Sequence, residues 1–269
     1  MNRRKFIQNS SFAALLLAGG KTTIIKRQDL LEKKLRLRFA VASDGHYGQP
    51  NTDYKSFFET LVLRINQEHS EKPFAFCMIN GDIIHDDKKF TPDAKYALDK
   101  LHMKYYVSQG NHDKLTSAEW EAQWLMPTNL SFTIKKNGFI IASTSNETGK
   151  YLCPDLRFMA GSLEKLKHKK NVFIFIHINP VKLTTHAVDC PDLLDLLKKY
   201  PNVRAVFNGH DHDEENIKSK DHIPFVFDAH FGGNWGTDYR GFRIVELYSD
   251  NSIGTWVMNP IDKINEINL

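Results

Sequence analysis

Five short groups of polar residues in this chain contain side chains that bind hard or borderline metal ions. In chain order the groups are Asp44-Gly45-His46, Gly81-Asp82, Gly110-Asn111-His112-Asp113, His177 and Gly209-His210-Asp211-His212. They contain no cysteine, and a set of carboxylate, amide and imidazole ligands suits Mn, Fe or Zn. These groups offer more candidate ligands than one four-coordinate zinc ion needs. They therefore predict two ions that share a bridging carboxylate, an arrangement that hydrolyses phosphate esters.

Each group follows a segment whose apolar pattern predicts a buried strand, and helices are predicted between the strands. These strands cover 35–42, 74–79, 104–107, 172–176 and 203–207, and the helices cover 52–69, 91–101, 116–124, 162–168 and 191–200. Asn137-Gly138 indicates a tight hairpin turn, and the pattern after residue 212 is β only. We therefore expect an α/β (α+β) fold, a four-layer sandwich of two packed, mainly mixed β-sheets flanked by helices. Ligands bind beyond the carboxyl ends of strands in such sheets, so the five groups should meet there.

The order of the five groups resembles the motif pattern of the calcineurin-like metallophosphoesterase family. That pattern is D-x-H, G-D, G-N-H-[D/E], H and G-H-x-H at the ends of successive strands, and all five blocks occur in order over residues 44–212. A single block such as G-D is common by chance, whereas five blocks in order are specific.

The resemblance implies a role for each matching residue. The first ion would be bound by Asp44, His46 and His212, the second by Asn111, His177 and His210, with Asp82 as the bridge. The cofactors are expected to be two divalent or trivalent transition metal ions (Mn, Fe or Zn), with a bridging hydroxide that attacks phosphorus. His112 is expected to protonate the leaving group while Asp113 orients its ring. Neutralising phosphate charge is the alternative role of His112.

One position departs from the pattern of relatives that cleave diesters. Those relatives often have G-D-x-x-D, and here His85 occupies the place of the second acid. His85 is therefore either a pocket residue or an exposed loop residue, and monoester, diester and diphosphate substrates all stay open. Four further residues lie near the predicted site and are candidates for substrate contact: His186, His230, Trp235 and Tyr239.

The N-terminus has the features of an export signal. Arg3-Arg4 begins a twin-arginine motif, and the apolar stretch 12–20 that follows is too short to form a stable membrane span. We expect residues 1–34 to be a twin-arginine signal peptide with a short following segment, and 35–269 to be the catalytic domain. The protein should be exported, to the periplasm in a bacterium, and the leader should contribute nothing to the core.

Composition narrows the list of partners. The formal charge is +4, and removing Arg3, Arg4 and Lys5 leaves +1, with no basic stripe that indicates a nucleic-acid surface. A small phosphorylated substrate is the expected partner, and the sequence leaves the oligomeric state open. Apolar residues make up 41% of the chain, enough for a sizeable core. Cys153 and Cys190 could form a disulfide in an oxidising compartment.

The function predicted from the sequence is that of an exported, metal-dependent phosphoesterase. One alternative is a catalytically silent protein that binds phosphate or metal on the same fold, against which the full ligand set and His112 argue. A zinc hydrolase of the metallo-β-lactamase type would need an H-x-H-x-D-H block, which the sequence does not contain.

Overall fold

The structure is a computed structural model that describes residues 12–16, 22–26, 30, 33–238 and 240–259. Within these residues the strands are β1 Phe12–Leu16, β2 Thr22–Lys26, β3 Leu35–Ala42, β4 Cys77–Asn80, β5 Tyr105–Ser108, β6 Leu130–Ile134, β7 Asn137–Ile141, β8 Asn171–Phe175, β9 Val203–Asn208, β10 Ile217–Lys220, β11 Ile223–Phe227, β12 Phe242–Tyr248 and β13 Ile253–Met258. The α-helices are α1 Tyr54–Glu71, α2 Thr91–Leu98, α3 Ser117–Trp124, α4 Leu156–Leu166 and α5 Pro191–Lys198.

The strands form two mixed sheets. The first has the order β2-β1-β13-β12-β3-β4-β5 and the second the order β10-β11-β9-β8-β7-β6. Within the first sheet β3, β4 and β5 are parallel, and within the second β7, β8, β9 and β11 are parallel. The carboxyl ends of β3, β4 and β5 therefore lie along one edge, as do those of β8 and β9. The predicted strands before all five polar groups are confirmed, with boundaries shifted by a few residues.

Phenylalanine rings fill the space between the two sheets. Phe39 of β3 stacks on Phe76 at 5.0 Å and meets Phe173 of β8 edge-on at 5.5 Å. Each ring is fully buried, and each contributes about 1.5–3 kcal/mol by leaving water. The outer faces of the sheets bury separate apolar clusters, under α1–α3 on one side and under α4 and α5 on the other. The predicted four-layer sandwich is therefore confirmed.

Local sequence signals explain several element boundaries. The Thr116 hydroxyl accepts a hydrogen bond from the Glu119 amide, and the Glu119 carboxylate accepts one from the Thr116 amide, so α3 starts with the predicted capping box. Helix α4 begins earlier than predicted, because the Asp155 carboxylate accepts hydrogen bonds from the amides of Arg157 and Phe158.

The predicted turn at Asn137-Gly138 is wrong. Both residues belong to β7, and the chain reverses two residues earlier, at Lys135 and Lys136, where the φ of Lys135 is +54°. Gly138 is needed for packing instead, since a Cβ there would lie 2.9 Å from Leu166 of α4. The Asn137 side-chain oxygen accepts a hydrogen bond from the Asn171 side-chain amide at 2.9 Å, and its amide nitrogen donates to the Ile134 carbonyl at 3.5 Å across the turn.

Part of the predicted leader lies in the first sheet. Strand β1 pairs antiparallel with β13, so that Ala14 faces Thr255. Residues assigned to the leader therefore pair with the edge of β13. The boundary at residue 34 and the expectation that the leader contributes nothing to the core stay predictions. The twin-arginine residues lie outside the described residues, and the export signal stays a prediction. No described helix combines the length and apolarity needed to cross a membrane.

A disulfide joins Cys153, before α4, to Cys190, the residue that precedes α5. Their Cα atoms are 5.7 Å apart. The remaining cysteine, Cys77, is buried in the core of the first sheet as a small apolar side chain.

Candidate metal centre

The polar groups occupy sharp turns at the carboxyl ends of the strands. Asp44, His46, Asp82 and His210 all have positive φ, between 47° and 69°. Non-glycine residues in this region carry strain of about 1–3 kcal/mol each, and such strain concentrates at functional sites. At Gly110 a Cβ would lie 2.2 Å from Asp82 Oδ1, so that only glycine lets this turn approach the carboxylate.

The first group of donors consists of Asp44, His46 and His212, all buried. His46 Nε2 and His212 Nε2 are 3.1 Å apart, and His212 Nε2 is 3.2 Å from Asp44 Oδ1. The Nδ1 atom of His212 lies 3.2 Å from the Trp235 carbonyl, which fixes the proton on Nδ1 and leaves the Nε2 lone pair free. A cation between the two imidazoles satisfies both nitrogens and the carboxylate together.

The second group consists of Asp82, His177 and His210. Asn111 follows Gly110, which packs against the Asp82 carboxylate. His177 Nδ1 donates to the Asn80 carbonyl at 2.7 Å, and this contact points Nε2 toward Asp82 Oδ2 at 3.1 Å. Three buried atoms of this group and Asn111 have no hydrogen-bond partner among the described residues: His177 Nε2, His210 Nε2 and Asn111 Oδ1. Buried polar atoms are normally satisfied, so three such atoms without a partner indicate a candidate metal site.

Asp82 lies between the two groups. Its Oδ2 is 3.1 Å from His177 Nε2 and 3.9 Å from His46 Nε2, while Oδ1 accepts a hydrogen bond from the His112 amide. This is the position that a bridging carboxylate needs. The structure thus brings six of the seven suggested ligands into two groups of three, Asp44, His46 and His212 in one and Asp82, His177 and His210 in the other. Their roles as metal ligands, and that of Asn111, stay predictions.

The electrostatics of the cluster also favour cations. Burial opposes ionisation of Asp44 and Asp82, but neighbouring imidazoles hold the pKa of both carboxyls below its ordinary value. Burial alone would lower the pKa of His177, yet the charges of Asp82 and Asp44 raise it to about 10. Burial lowers the pKa of His210 to about 4, which keeps its imidazole neutral and able to coordinate.

The expected pairing of His112 with Asp113 is wrong. Asp113 is buried, and its carboxylate accepts hydrogen bonds from the amides of Ile83, Ile84 and Gly110, so it braces the turns that carry Asp82. The partner of His112 is Asp86, whose Oδ1 lies 3.0 Å from His112 Nδ1.

Asp86 also binds the Lys114 ammonium at 2.6 Å. Burial opposes ionisation of Asp86, but the hydrogen bond from Lys114 and the charge of His112 hold its pKa below the ordinary value. Sequence reasoning missed Asp86 because it lies one residue beyond the position of the second acid in G-D-x-x-D. The signal that could have pointed to Asp86 is its position directly after His85, which stands where relatives have an acid.

The structure places His85 at the site and not on an outlying loop. Its Nδ1 is 3.1 Å from His46 Nδ1, and its ring stacks on His112 with centroids 4.9 Å apart. Trp235 lies over the first group, 4.3 Å from His212 and parallel to it. His230 is buried, with both ring nitrogens bonded to the loop at Gly232 and Thr237, so it does not face a substrate.

The other two candidate substrate contacts differ in position. His186 is exposed, with its ring centroid 6.2 Å from that of His210. Tyr151 meets His210 edge-on at 4.9 Å, a contact that the sequence did not suggest. Tyr239 lies outside the described residues.

Comparison with known families agrees with this geometry. The sequence profile of the calcineurin-like phosphoesterases matches residues 37–214, and the chain belongs to this family. Members of the family are binuclear metal phosphoesterases. The matched segment starts in β3 and ends just after His212, so it contains all five polar groups.

Solved structures share the fold. A dimetal phosphatase from Danio rerio (LOC 393393) aligns with a TM-score of 0.68 and 13% identity, covering 85% of this chain and 98% of that chain. GAP50, described as the anchor in the inner membrane complex of Plasmodium, gives 0.59 and 16%, covering 88% of each chain. The phosphoesterase YfkN from Bacillus subtilis gives 0.52 and 15%, covering 87% and 94%. No curated protein sequence matches the chain significantly.

Proposed function

Because the chain is a calcineurin-like phosphoesterase, we propose that it hydrolyses phosphate mono- or diesters with two transition metal ions (Mn, Fe or Zn). The observation that carries the proposal is the pair of buried donor groups on either side of Asp82. Cations bound there would satisfy their unpartnered nitrogens and oxygen. When bound, the ions supply an activated water and neutralise charge on the phosphoryl oxygens.

The protein's own residues prepare this chemistry in distinct ways. Asp82 holds the two donor groups at a fixed separation, and the backbone bond from His112 fixes its Oδ1. The partly exposed imidazole of His112 can give a proton to the leaving-group oxygen. Asp86 hydrogen-bonds to Nδ1 of that ring, so that Nε2 is the ring nitrogen that can contact the substrate.

Export to the periplasm is the second part of the proposal. The twin-arginine motif at Arg3-Arg4 motivates it, and the Cys153–Cys190 disulfide supports it, since disulfides persist in oxidising compartments. Twin-arginine transport moves folded proteins. The metal centre, whose ligands come from five strand ends, could therefore be loaded before export.

A catalytically silent binding protein is the competing function. The fold alone does not decide, because GAP50, described as an anchor, shares it. The presence of all seven ligand candidates together with His112 and Asp86 favours an enzyme over a scaffold.

The test combines metal content with a hydrolysis screen. Metal-free protein is reconstituted with Mn, Fe, Zn or Ni and assayed on phosphate monoesters, diesters and diphosphates. We expect activity only after reconstitution, and a loss of several orders of magnitude in Asp82→Asn. Asp195→Asn, which changes an exposed carboxylate on α5, is the matched control and should behave as the parent. Full activity of metal-free protein, or metal binding without hydrolysis of any ester, would refute the proposed function.

A further inference from the structure

Three aromatic rings form a stacked column that runs from the interior to the surface beside the metal centre. His230 stacks on His212 with centroids 4.7 Å apart and planes 14° apart, and His212 stacks on Trp235 at 4.3 Å and 9°. The exposed fraction rises along the column, from 1% at His230 and 4% at His212 to 42% at Trp235. His212 covers one face of the indole, and Trp235 stays 42% exposed.

The indole is held in place by its own loop. The Trp235 carbonyl accepts the His212 Nδ1 hydrogen bond, and the Thr237 amide donates to the His212 carbonyl at 3.0 Å. Between them Gly236 has a φ of +96°, and a Cβ there would lie 2.3 Å from His212 Cβ. The loop is therefore fitted closely against a metal-ligand candidate, and a planar group that stacks on Trp235 meets a surface that is already ordered.

Trp235 lies close to both parts of the proposed chemistry. Its ring centroid is 4.7 Å from that of His46 and 6.4 Å from that of His112. A leaving group that takes a proton from His112 would lie next to the indole. Large apolar side chains left exposed beside a polar site commonly mark the place where the apolar part of a ligand binds.

We propose that Trp235 is a specificity-determining residue that stacks on a planar aromatic group in the leaving alcohol. The preferred substrates would then be phosphoesters of alcohols that carry such a group, as nucleosides do, over those of simple sugars or aliphatic alcohols. This inference rests on the proposed phosphoesterase function and adds the substrate class to it.

The test compares two competitors that share a ribose 5-phosphate unit and whose leaving alcohols differ by one aromatic ring system. Adenosine 5′-monophosphate and ribose 5-phosphate are each used to inhibit the hydrolysis of a 4-nitrophenyl phosphoester by the metal-loaded protein. An alternative substrate and a non-hydrolysed inhibitor both give a competitive inhibition constant. The comparison therefore holds whether or not the two phosphate compounds are hydrolysed. The parent protein should bind the adenosine compound more tightly than the ribose compound.

The variants assign that preference to the indole. Trp235→Leu keeps the backbone carbonyl and an apolar side chain but removes the ring, and it should weaken binding of the adenosine compound about 5- to 150-fold, the range of base–aromatic stacking. Binding of ribose 5-phosphate should not change. Trp235→Phe should recover part of the difference, and Tyr96→Leu, at an exposed ring on α2, should leave both constants as in the parent.

The outcomes separate the two proposals. Hydrolysis without any preference for adenosine 5′-monophosphate in the parent, or equal weakening of both competitors in Trp235→Leu, overturns the role of Trp235 and leaves the proposed function standing. If Trp235→Leu loses metal, the role of Trp235 is judged from the preference of the parent and of Trp235→Phe for adenosine 5′-monophosphate over ribose 5-phosphate. If the parent hydrolyses no phosphoester in any metal, both proposals fall together.

Discussion

Replacing Asp86 should slow catalysis without removing metal, because Asp86 contacts His112 and none of the candidate ligands of the two donor groups. His112 Nδ1 lies 3.0 Å from Asp86 Oδ1, and Lys114 Nζ lies 2.6 Å from the same oxygen. Asp86→Asn keeps the size of the side chain and removes the carboxylate charge beside the His112 ring. Lys114 is partly exposed, so water can solvate its ammonium when the carboxylate is gone.

The size of the effect follows from the exposure of the pair. A hydrogen bond to a charged group contributes about 1.5–3 kcal/mol when it is well shielded. The side chain of Asp86 is 43% exposed and that of His112 is 27% exposed, so solvent screening reduces this to about 1–1.5 kcal/mol. The turnover number kcat should therefore fall about 5- to 12-fold. His112→Ala, which removes the proton donor itself, should lower kcat about 10²- to 10⁴-fold.

The assay measures kcat for an alkyl phosphate and a nitrophenyl phosphate, together with metal content by elemental analysis. Both variants should keep the parent's metal content and lose more rate on the alkyl ester, whose leaving group needs the proton. Equal losses on the two esters would show that His112 binds phosphate and does not donate a proton. Loss of metal from His112→Ala would place His112 among the ligands and refute the reasoning.

Asp113→Asn is the informative contrast, since Asp113 is the residue that the sequence suggested as the partner of His112. Its carboxylate accepts three backbone hydrogen bonds in a buried position, and an amide nitrogen cannot replace an acceptor there. We expect a loss of about 1–3 kcal/mol in the free energy of unfolding, because the amide keeps one acceptor oxygen and leaves a buried backbone donor unsatisfied at the other position. An unchanged melting temperature together with a specific loss on the alkyl ester would restore Asp113 as the orienting residue.

Three further changes test the fold and the export route. Cys153→Ser with Cys190→Ser opens a loop of 37 residues and should lower the free energy of unfolding by about 2–4 kcal/mol, measured by denaturant titration. Arg3→Lys with Arg4→Lys should trap the precursor in the cytoplasm, and fractionation that finds it exported as well as the parent would exclude the twin-arginine route. Burial raises the pKa of Asp228 to about 7, so between the ordinary carboxyl pKa and about 7 the folded chain holds a proton that the unfolded chain has lost. Stability should therefore fall as pH rises through that window, by up to about 1.4 kcal/mol per pH unit, and Asp228→Asn should remove this contribution to the slope.

The sequence could suggest candidate ligands because each of them follows shortly after a buried strand. Residues such as Asp44 and Asp82 need only the end of a strand to place them, and hydrophobic patterning locates strand ends. Asp86 could not be placed in this way. Its φ is +64°, and this left-handed turn, together with the His112 carbonyl that accepts the Asp86 amide bond, decides where the carboxylate lies.

Contacts between residues distant in the sequence also explain the errors away from the site. Asn137-Gly138 has the composition of a tight turn, but the approach of Leu166 from α4 makes Gly138 a packing residue. That contact joins residues distant in the sequence, and local patterning carries no information about it. The pairing of Cys153 with Cys190 likewise depends on the distance between two loops, which spacing along the chain does not give.

One buried residue, Asn80, explains how the strand ends hold the candidate metal centre in place. The amide of Asn80, at the end of β4, donates to the Phe207 carbonyl of the second sheet and to Asp228 Oδ2, each at 3.1 Å. The backbone carbonyl of Asn80 accepts hydrogen bonds from His177 Nδ1 and from the Ser43 hydroxyl. Asn80 therefore links both sheets to residues beside or within each donor group. Since a buried polar network is stable only when its members are satisfied, the separation between the two groups is set by the packing of the sandwich. A two-metal site needs such a fixed separation, and here it comes from the fold and not from the loops alone.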